Sequence, residues 1–253
     1  MNLINPYRFS AAGGPIPTPL HWWDLDDLGT GTGAGLDDQG SGTNDMTLTN
    51  FNSTVESGVA PDGGDALLLD GANDYVYTTS DFTWDGDPTA LSVSIWVQID
   101  SSSADNRMFS WRDNSGDRLV ELLRLNSNGY IKAVVWDDAD AGKVTSDDAG
   151  LALATGADFY HVVLTWLKGG TMEMYVDGSI VAGASTSTVG VSDLEDTNTM
   201  LFTIGYYSPT RNTLEHNGNL WSCGVWDAEL TADEVSTLYN SGTGGKYADF
   251  TFV

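Results

Sequence analysis

The stretch GNLWSCGVWDAELTADEVSTLYNSG, residues 218–242, decides the fold of this 253-residue chain. Alternation along its first half predicts a β-strand whose two faces carry different side chains. One face would carry Leu220, Ser222, Gly224 and Trp226, and the other would carry Trp221, Cys223 and Val225.

A short helix is predicted directly after this strand. Thr231 and Glu234 have the spacing of a capping box, in which hydroxyl and carboxylate each accept from a free backbone N–H. Residues 235, 238 and 239 form an apolar stripe, and Gly242 suits a left-handed C-terminal cap. The pattern predicts a helix near 232–240 that packs beside a sheet.

Short apolar segments separated by turn-rich stretches recur from His21 onward. They read HWWDL, MTLTNF, ALLLDG, DYVYTT, LSVSIWVQI, NRMFSWR, RLVELLRL, YIKAVVW, FYHVVLTWL, TMEMYVDGSIVA, MLFTIGYY and NLWSCGVW. Residues 91–99 alternate cleanly, and Asp177-Gly178 is typical of a hairpin turn. RLVELLRL fits a helix or a strand, and the turn residues around it favour a strand. About ten to twelve strands with one helix predict an all-β sandwich or barrel.

Residues 1–19 differ from the rest because prolines and glycines exclude regular structure. Within them, Tyr7, Arg8 and Phe9 offer an apolar and cationic patch. We interpret 1–19 as an extended arm that docks on a partner, with a flexible leader as the alternative. No linker divides the remainder, so residues 20–253 are expected to form a single sandwich.

The formal net charge of −26, with 10 Lys and Arg, argues against nucleic acid or an anionic membrane as a partner. Cys223 is the only cysteine, so no intrachain disulfide can form, and its apolar strand predicts a buried thiol. The N-terminus lacks the pattern of a signal peptide, and no apolar run reaches the length of a membrane span. A soluble chain without that export route is expected.

Four blocks together resemble the laminin-G-like, concanavalin A-like lectin/glucanase domains. They are HWWDLDD with LDDQGSGTNDMTLTN, then LLLDGANDYVYT, then FYHVVLTWLKGGTMEMYVDGSIVA, and finally IGYYSP with HNGNLWSCGVWDAELTADEVSTLYNSG. The resemblance implies a two-sheet antiparallel jelly roll with one short C-terminal helix. The first nine residues, MNLINPYRF, resemble the starts of tailed-bacteriophage structural proteins that carry this domain. That likeness implies a virion protein assembled in the host cytoplasm.

No enzyme is predicted. Glucanases of this family use an E-x-D-x-E triplet that places carboxylates on one strand face, and this triplet is missing from the sequence. The nearest approach is Glu173 with Asp177, and the Asp-Gly turn accounts for Asp177. Three widely spaced histidines, His21, His161 and His216, lack the spacing of a zinc site.

Calcium is the cofactor that the resemblance implies, held by Asp side chains and loop carbonyls. Two acidic loops are the candidates, and the alternative is that both are solvated acidic loops. The candidate ligands are Asp37, Asp38, Asp137, Asp138 and Asp140.

Carbohydrate binding is the remaining site hypothesis, because aromatic faces and planar polar groups hold sugars. The candidates lie at predicted strand ends or loops: Trp84, Trp111, Trp136, Tyr206, Tyr207, Asn212 and His216. With 9 Trp in a sandwich, most tryptophans are expected in the core.

These observations favour a non-enzymatic virion protein, a capsid decoration or fibre-associated module present in many copies or as a homo-oligomer. Its arm would dock on other virion proteins, and its sandwich would face outward and bind glycans. The alternative is a free-standing lectin or adhesin, and a glycoside hydrolase of the same fold is the third hypothesis.

Overall fold

The computed structural model describes residues 15–26, 35–50, 55–56, 59–79, 88–101, 105–112, 118–124, 128–136, 143–182, 186–187, 201–205 and 215–253. The strands in chain order are β1 (His21–Trp23), β2 (Gly35–Leu36), β3 (Met46–Thr49), β4 (Val55–Glu56), β5 (Ala66–Asp70), β6 (Tyr75–Thr78), β7 (Ala90–Val97), β8 (Asn106–Arg112), β9 (Arg118–Arg124), β10 (Tyr130–Trp136), β11 (Lys143–Ala152), β12 (Tyr160–Leu167), β13 (Thr171–Val176), β14 (Ser179–Ile180), β15 (Thr186–Ser187), β16 (Leu201–Ile204) and β17 (Asn217–Trp226). Helix α1 spans Ala232–Tyr239, and short 3-10 segments span Asn240–Gly242 and Tyr247–Asp249.

The strands build two antiparallel sheets that pack face to face. The nine-stranded sheet has the order β14-β13-β12-β7-β17-β5-β4, with β1 paired to β17 and β15 paired to β13. The eight-stranded sheet has the order β11-β10-β9-β8-β16-β6-β3-β2. Neighbours in the sheets are distant in sequence, as in a jelly roll. The predicted all-β, two-sheet antiparallel sandwich with one short C-terminal helix is confirmed.

One apolar core fills the space between the two sheets. In β7 the predicted alternation is confirmed, because every second side chain points into this core. The core-facing residues of this segment are Leu91, Val93, Ile95, Val97 and Ile99. Each large aliphatic side chain buried in this way contributes about 1.5–3 kcal/mol to folding.

Strand β17 departs from simple alternation at Ser222. Its pairing with β7 shifts register between Trp221 and Cys223, and Ser222 has a φ of 52°. This β-bulge adds one residue, so the faces exchange beyond it. The core therefore receives Leu220, Cys223 and Val225. The predicted face of Leu220, Ser222, Gly224 and Trp226 was wrong for this reason.

Helix α1 lies beside β14 of the nine-stranded sheet. The predicted capping box is confirmed: the Thr231 hydroxyl accepts from the N–H of Glu234, and the Glu234 carboxylate accepts from the N–H of Thr231. Asn240, not Gly242, takes the left-handed C-cap, with a φ of 48°. The helix therefore ends one residue before the predicted boundary.

Residues 15–19, which we predicted to be part of the arm, pack on the sandwich. Ile16 is 1% exposed, and its N–H donates to the carbonyl of Thr251 over 3.2 Å. The indole N–H of Trp226 donates to the carbonyl of Pro17 over 2.8 Å. The folded part thus includes Ile16, ahead of the expected boundary at residue 20. Tyr7, Arg8 and Phe9 lie outside the described residues.

All twelve apolar segments form strands, and RLVELLRL is strand β9. Strand β11, with ten residues, was not predicted because KVTSDDAGLA lacks apolar alternation. It forms where β10 offers an edge for pairing. Within the part of the chain that the structure describes, no helix is long and apolar enough to cross a membrane.

Candidate functional site

The predicted sugar-binding residues that the structure describes are buried. Trp111 is 2% exposed and packs edge-on against Phe202 in the core. His216 is 0% exposed, and its Nε2 lies 3.0 Å from the carbonyl of Gln98. Trp136 is the last residue of β10 and is 5% exposed. This burial argues against sugar stacking on Trp111 and His216. Trp84, Tyr206, Tyr207 and Asn212 lie outside the described residues.

Asp38, a predicted calcium ligand, is instead an internal hydrogen-bond acceptor. Its side chain is 0% exposed and lies 2.5 Å from Nδ1 of His21. It also accepts from the backbone N–H groups of Trp22, Gly40 and Asn44, each over 3.0 Å. Burial alone would raise the pKa of Asp38, but these hydrogen bonds outweigh it and hold that pKa below its usual value. Asp38 therefore fixes the early loop on β1.

Of the other predicted calcium ligands, the structure describes only Asp37. Asp37 is exposed, and Asp137, Asp138 and Asp140 lie outside the described residues. Where the structure describes the chain, no three or more His, Cys, Asp or Glu side chains gather as metal ligands.

The histidines are structural in the described part of the fold. His161 Nε2 lies 2.8 Å from the Ser94 hydroxyl, and its ring stacks on Trp96. Burial lowers the pKa of His161 to about 3, so the ring stays neutral. Asp177 accepts from the backbone N–H of His161, over 3.0 Å, rather than from the ring. The buried Ser94–His161 pair therefore lacks the carboxylate that would orient the histidine ring in a catalytic triad.

Cys223 is buried in the core, as predicted. Burial raises the pKa of its thiol, which keeps the sulfur protonated. It fills space as a small apolar side chain.

The outer face of the eight-stranded sheet brings polar side chains from several strands into one row. Alternate residues of these strands point into the core, and the intervening ones point outward. Direct cross-strand partners along the row are Thr47, Tyr77, Thr203, Ser110, Glu121 and Val134. Thr47 and Tyr77 are partly exposed, whereas Thr203, Ser110, Glu121 and Val134 are buried, so only one end of this row meets solvent.

A pair of tyrosines stands at one end of this row. Tyr75 and Tyr77 project from the same face of β6, with ring centroids 5.7 Å apart and planes at 39°. Thr49 and Thr47 lie opposite them on β3, and all four side chains are partly exposed. We call these four residues the tyrosine platform. Aromatic faces beside hydroxyl groups are suited to a ligand with one apolar and one polar side.

A buried ion triad lies further along the same face. Arg107 donates to one oxygen of Glu121 over 2.5 Å, and Arg112 donates to the other over 3.3 Å. All three side chains are at most 5% exposed. Such a group is costly to bury unless every charge is paired, so it fixes β8 against β9.

Glu121 stands without the carboxylate partners of a glucanase. The alternate positions of β9 are Leu119, Glu121 and Leu123, where E-x-D-x-E would place three acids. A glycosidase needs two carboxyl groups flanking the scissile bond. The described residues of this row supply one, and it is occupied by two arginines.

Neither Tyr75 nor Glu121 was predicted as a site residue. The segment DYVYTT carried the signal for the platform, because strict alternation places both tyrosines on one face. Whether that face is the inner or the outer one depends on the neighbouring strands.

Solved structures show the same fold at low sequence identity. The botulinum neurotoxin serotype D ligand binding domain in complex with N-acetylneuraminic acid matches with a TM-score of 0.61 and 13% identity, over 88% of this chain and 50% of that one. Trypanosoma rangeli sialidase in complex with 2,3-difluoro-KDN matches with a TM-score of 0.63 and 16% identity, over 94% of this chain and 36% of that one. This chain thus spans about half or less of these matched chains.

The sequence matches no protein of curated function. It does match the family model of the concanavalin A-like lectin/glucanases superfamily over residues 70–236, which is more than half of its length. The matched range runs from the end of β5 into helix α1 and includes the tyrosine platform strand β6. The chain therefore belongs to the concanavalin A-like lectin/glucanase superfamily.

Proposed function

We propose that the chain is a non-enzymatic glycan-binding module whose sugar site is the tyrosine platform. The observation that carries the proposal is the pair of partly exposed rings, Tyr75 and Tyr77, beside the partly exposed Thr47 and Thr49. The two rings, with Thr47 and Thr49 beside them, suit a sugar whose apolar face stacks on the aromatic side chains. The botulinum domain was solved with N-acetylneuraminic acid, which agrees with a glycan as the class of ligand.

A glycan array followed by titration calorimetry tests this site. Y75A and Y77A are each expected to weaken binding of the best oligosaccharide about tenfold, which corresponds to about 1.4 kcal/mol. I180A is the control, because Ile180 is 50% exposed on the other sheet and its truncation leaves the platform intact. Unchanged affinity in both tyrosine variants would place the sugar elsewhere.

The absence of a second carboxylate beside Glu121 among the described residues supports the non-enzymatic part of the proposal. We expect no new reducing ends when the protein is incubated with laminarin or with oligosaccharides bound on the array. Release of reducing ends by the purified wild-type protein would show that the chain is a glycosidase, and would overturn this part.

The proposal extends to context: the chain is a virion component, a capsid decoration or fibre-associated module. Tyr7, Arg8 and Phe9 would dock on another virion protein, and the sandwich would face outward. Many copies on one particle would multiply a weak affinity for glycans. Deletion of residues 1–14 should abolish incorporation into particles, measured by mass spectrometry, and leave glycan binding intact. Full incorporation of the truncated chain would refute this docking mechanism.

A free-standing lectin or adhesin is the second candidate. It is favoured by the packing of residues 15–19 on the sandwich, which leaves fewer residues for docking. For the calcium ion that the family resemblance implies, Asp137, Asp138 and Asp140, which follow β10, are proposed as one place to bind it, as an alternative to any other calcium site in the chain.

A further inference from the structure

An oxygen-rich cluster lies on the outer face of the nine-stranded sheet, away from the tyrosine platform. Glu173 of β13 lies directly opposite Thr165 of β12, and Thr165 lies opposite Ser92 of β7. All three occupy outward positions, since Met172 and Met174, on either side of Glu173, belong to the core. The register therefore places a carboxylate and two hydroxyls side by side.

The segment before helix α1 brings a second carboxylate to this cluster. The Ser92 hydroxyl donates to the carbonyl of Ala228 over 2.7 Å and accepts from the N–H of Leu230 over 2.9 Å. Glu229, between these two residues, is therefore held over the row that contains Ser92.

The two carboxylates interact although both are negatively charged. Burial raises the pKa of Glu229, and the charge of Glu173 raises it further. The Tyr175 hydroxyl donates to Oε2 of Glu173 over 2.8 Å. No cation of the described residues forms an ion pair with either carboxylate. Like charges held together in this way favour a bound counter-ion.

Thr165 supplies an independent sign of a ligand. It is 0% exposed, and its Oγ1 has no hydrogen-bond partner among the described residues. Burying a hydroxyl without a hydrogen-bond partner is unfavourable. Its outward position beside Glu173 directs it to the cluster, where a cation or its bound water would satisfy it.

We infer that Glu173, Glu229 and Thr165 form a binding site for a divalent cation of the calcium type. Calcium takes oxygen ligands, and two carboxylates with one hydroxyl leave room for waters to complete its shell. The site has fewer than three acidic ligands, so its affinity is low. A bound ion would tie β12 and β13 to the segment that leads into α1, which links cation binding to stability.

Calcium titration of the full chain, read by thermal unfolding and by terbium luminescence, tests the site. At free calcium tenfold above its Kd, we expect Tm to rise by about 3–6 °C. E173Q and E229Q should each abolish this rise, and T165V should weaken binding several-fold. Trp226, cross-strand to Ser92, lies close enough to sensitise bound terbium.

D158N is the matched control, because Asp158 is exposed and lies outside the cluster. It removes one negative charge and should retain the full calcium response. A calcium response that persists in both E173Q and E229Q overturns the inference, as does its loss only in D137N/D138N/D140N. The inference is also overturned if calcium leaves the Tm of the wild-type protein unchanged and terbium gives no sensitised luminescence. Circular dichroism without calcium confirms that each variant is folded.

Discussion

Two buried carboxyl groups in this protein have opposite pKa shifts, and their hydrogen bonds explain the difference. Asp38 accepts from three backbone N–H groups and lies beside the ring of His21, so its charged form is stabilised. Asp74 is 3% exposed and accepts from the N–H of Asp70 over 3.2 Å. Its second oxygen has no hydrogen-bond partner among the described residues. Burial raises the pKa of Asp74 to about 6.

The raised pKa of Asp74 predicts that D74N stabilises the protein, and more so at pH 8 than at pH 5. The folded state holds the proton more tightly than the unfolded state, whose pKa is near 3.8. Stability from this group is therefore full below pH 3.8 and is lost as pH rises through about 6. Removing the charge should add about 1–2 kcal/mol at pH 8, after allowance for solvent screening.

Urea unfolding at both pH values measures this effect. D227N, at an exposed aspartate, is the control and should change stability little at either pH. Lower stability of D74N at pH 8 than that of the wild type would contradict the prediction.

Residue type alone was a poor guide to the site. The sequence shows which side chains are aromatic and which are polar, but the pairing of strands in the sheets decides which aromatic rings are exposed to solvent. Trp111 was chosen from its place at an expected strand end, and it lies within β8 and points into the core. Tyr75 and Tyr77 came from a recognised strand, yet their exposure depends on β3 and β16 beside them.

At the scale of secondary structure, apolar alternation and capping chemistry predicted β7 and helix α1 well. Both depend on contacts between residues close in sequence. The failures lie where distant contacts decide. Strand β11 forms because β10 provides an edge, and the bulge at Ser222 is set by pairing with β7. Such non-local causes leave little trace in a window of the sequence.

The packing after the bulge predicts that G224A destabilises the protein. A Cβ on Gly224 would lie 2.6 Å from the Trp226 ring and 2.7 Å from the Trp22 ring. Both rings are buried, so the change should cost about 1–3 kcal/mol through overpacking. Chemical denaturation followed by tryptophan fluorescence measures the loss.

G35A is the matched control for this variant. Gly35 is also a strand residue, and the nearest atom to its added Cβ lies 3.5 Å away, an ordinary contact. We expect its stability to stay within about 0.5 kcal/mol of the wild type. Equal losses in both variants would show that the rings around Gly224 rearrange freely.

In the whole molecule, the two sheets have different outer surfaces. The nine-stranded sheet is covered by helix α1, by the C-terminal aromatic residues and by residues 15–19, which form two further apolar clusters with it. The eight-stranded sheet carries the tyrosine platform on its outer face. The C-terminal segment thus completes the fold on one side, and the glycan site is proposed on the other.

The charge of the whole chain predicts that neutral salt stabilises the fold. With 36 acidic residues against 10 basic ones, the folded state brings like charges closer than the unfolded chain does. Raising NaCl from 10 to about 500 mM shortens the Debye length from about 30 to below 8 Å and screens this repulsion. A gain of about 1 kcal/mol would raise Tm by about 2–4 °C for a chain of this size.

Potassium chloride should act equally, because screening depends on ionic strength rather than on the ion. A Tm that falls with salt would show that favourable ion pairs, such as the Arg107–Glu121 pair, outweigh the repulsion. Calcium compared with NaCl at matched ionic strength then separates binding at Glu173 and Glu229 from general screening.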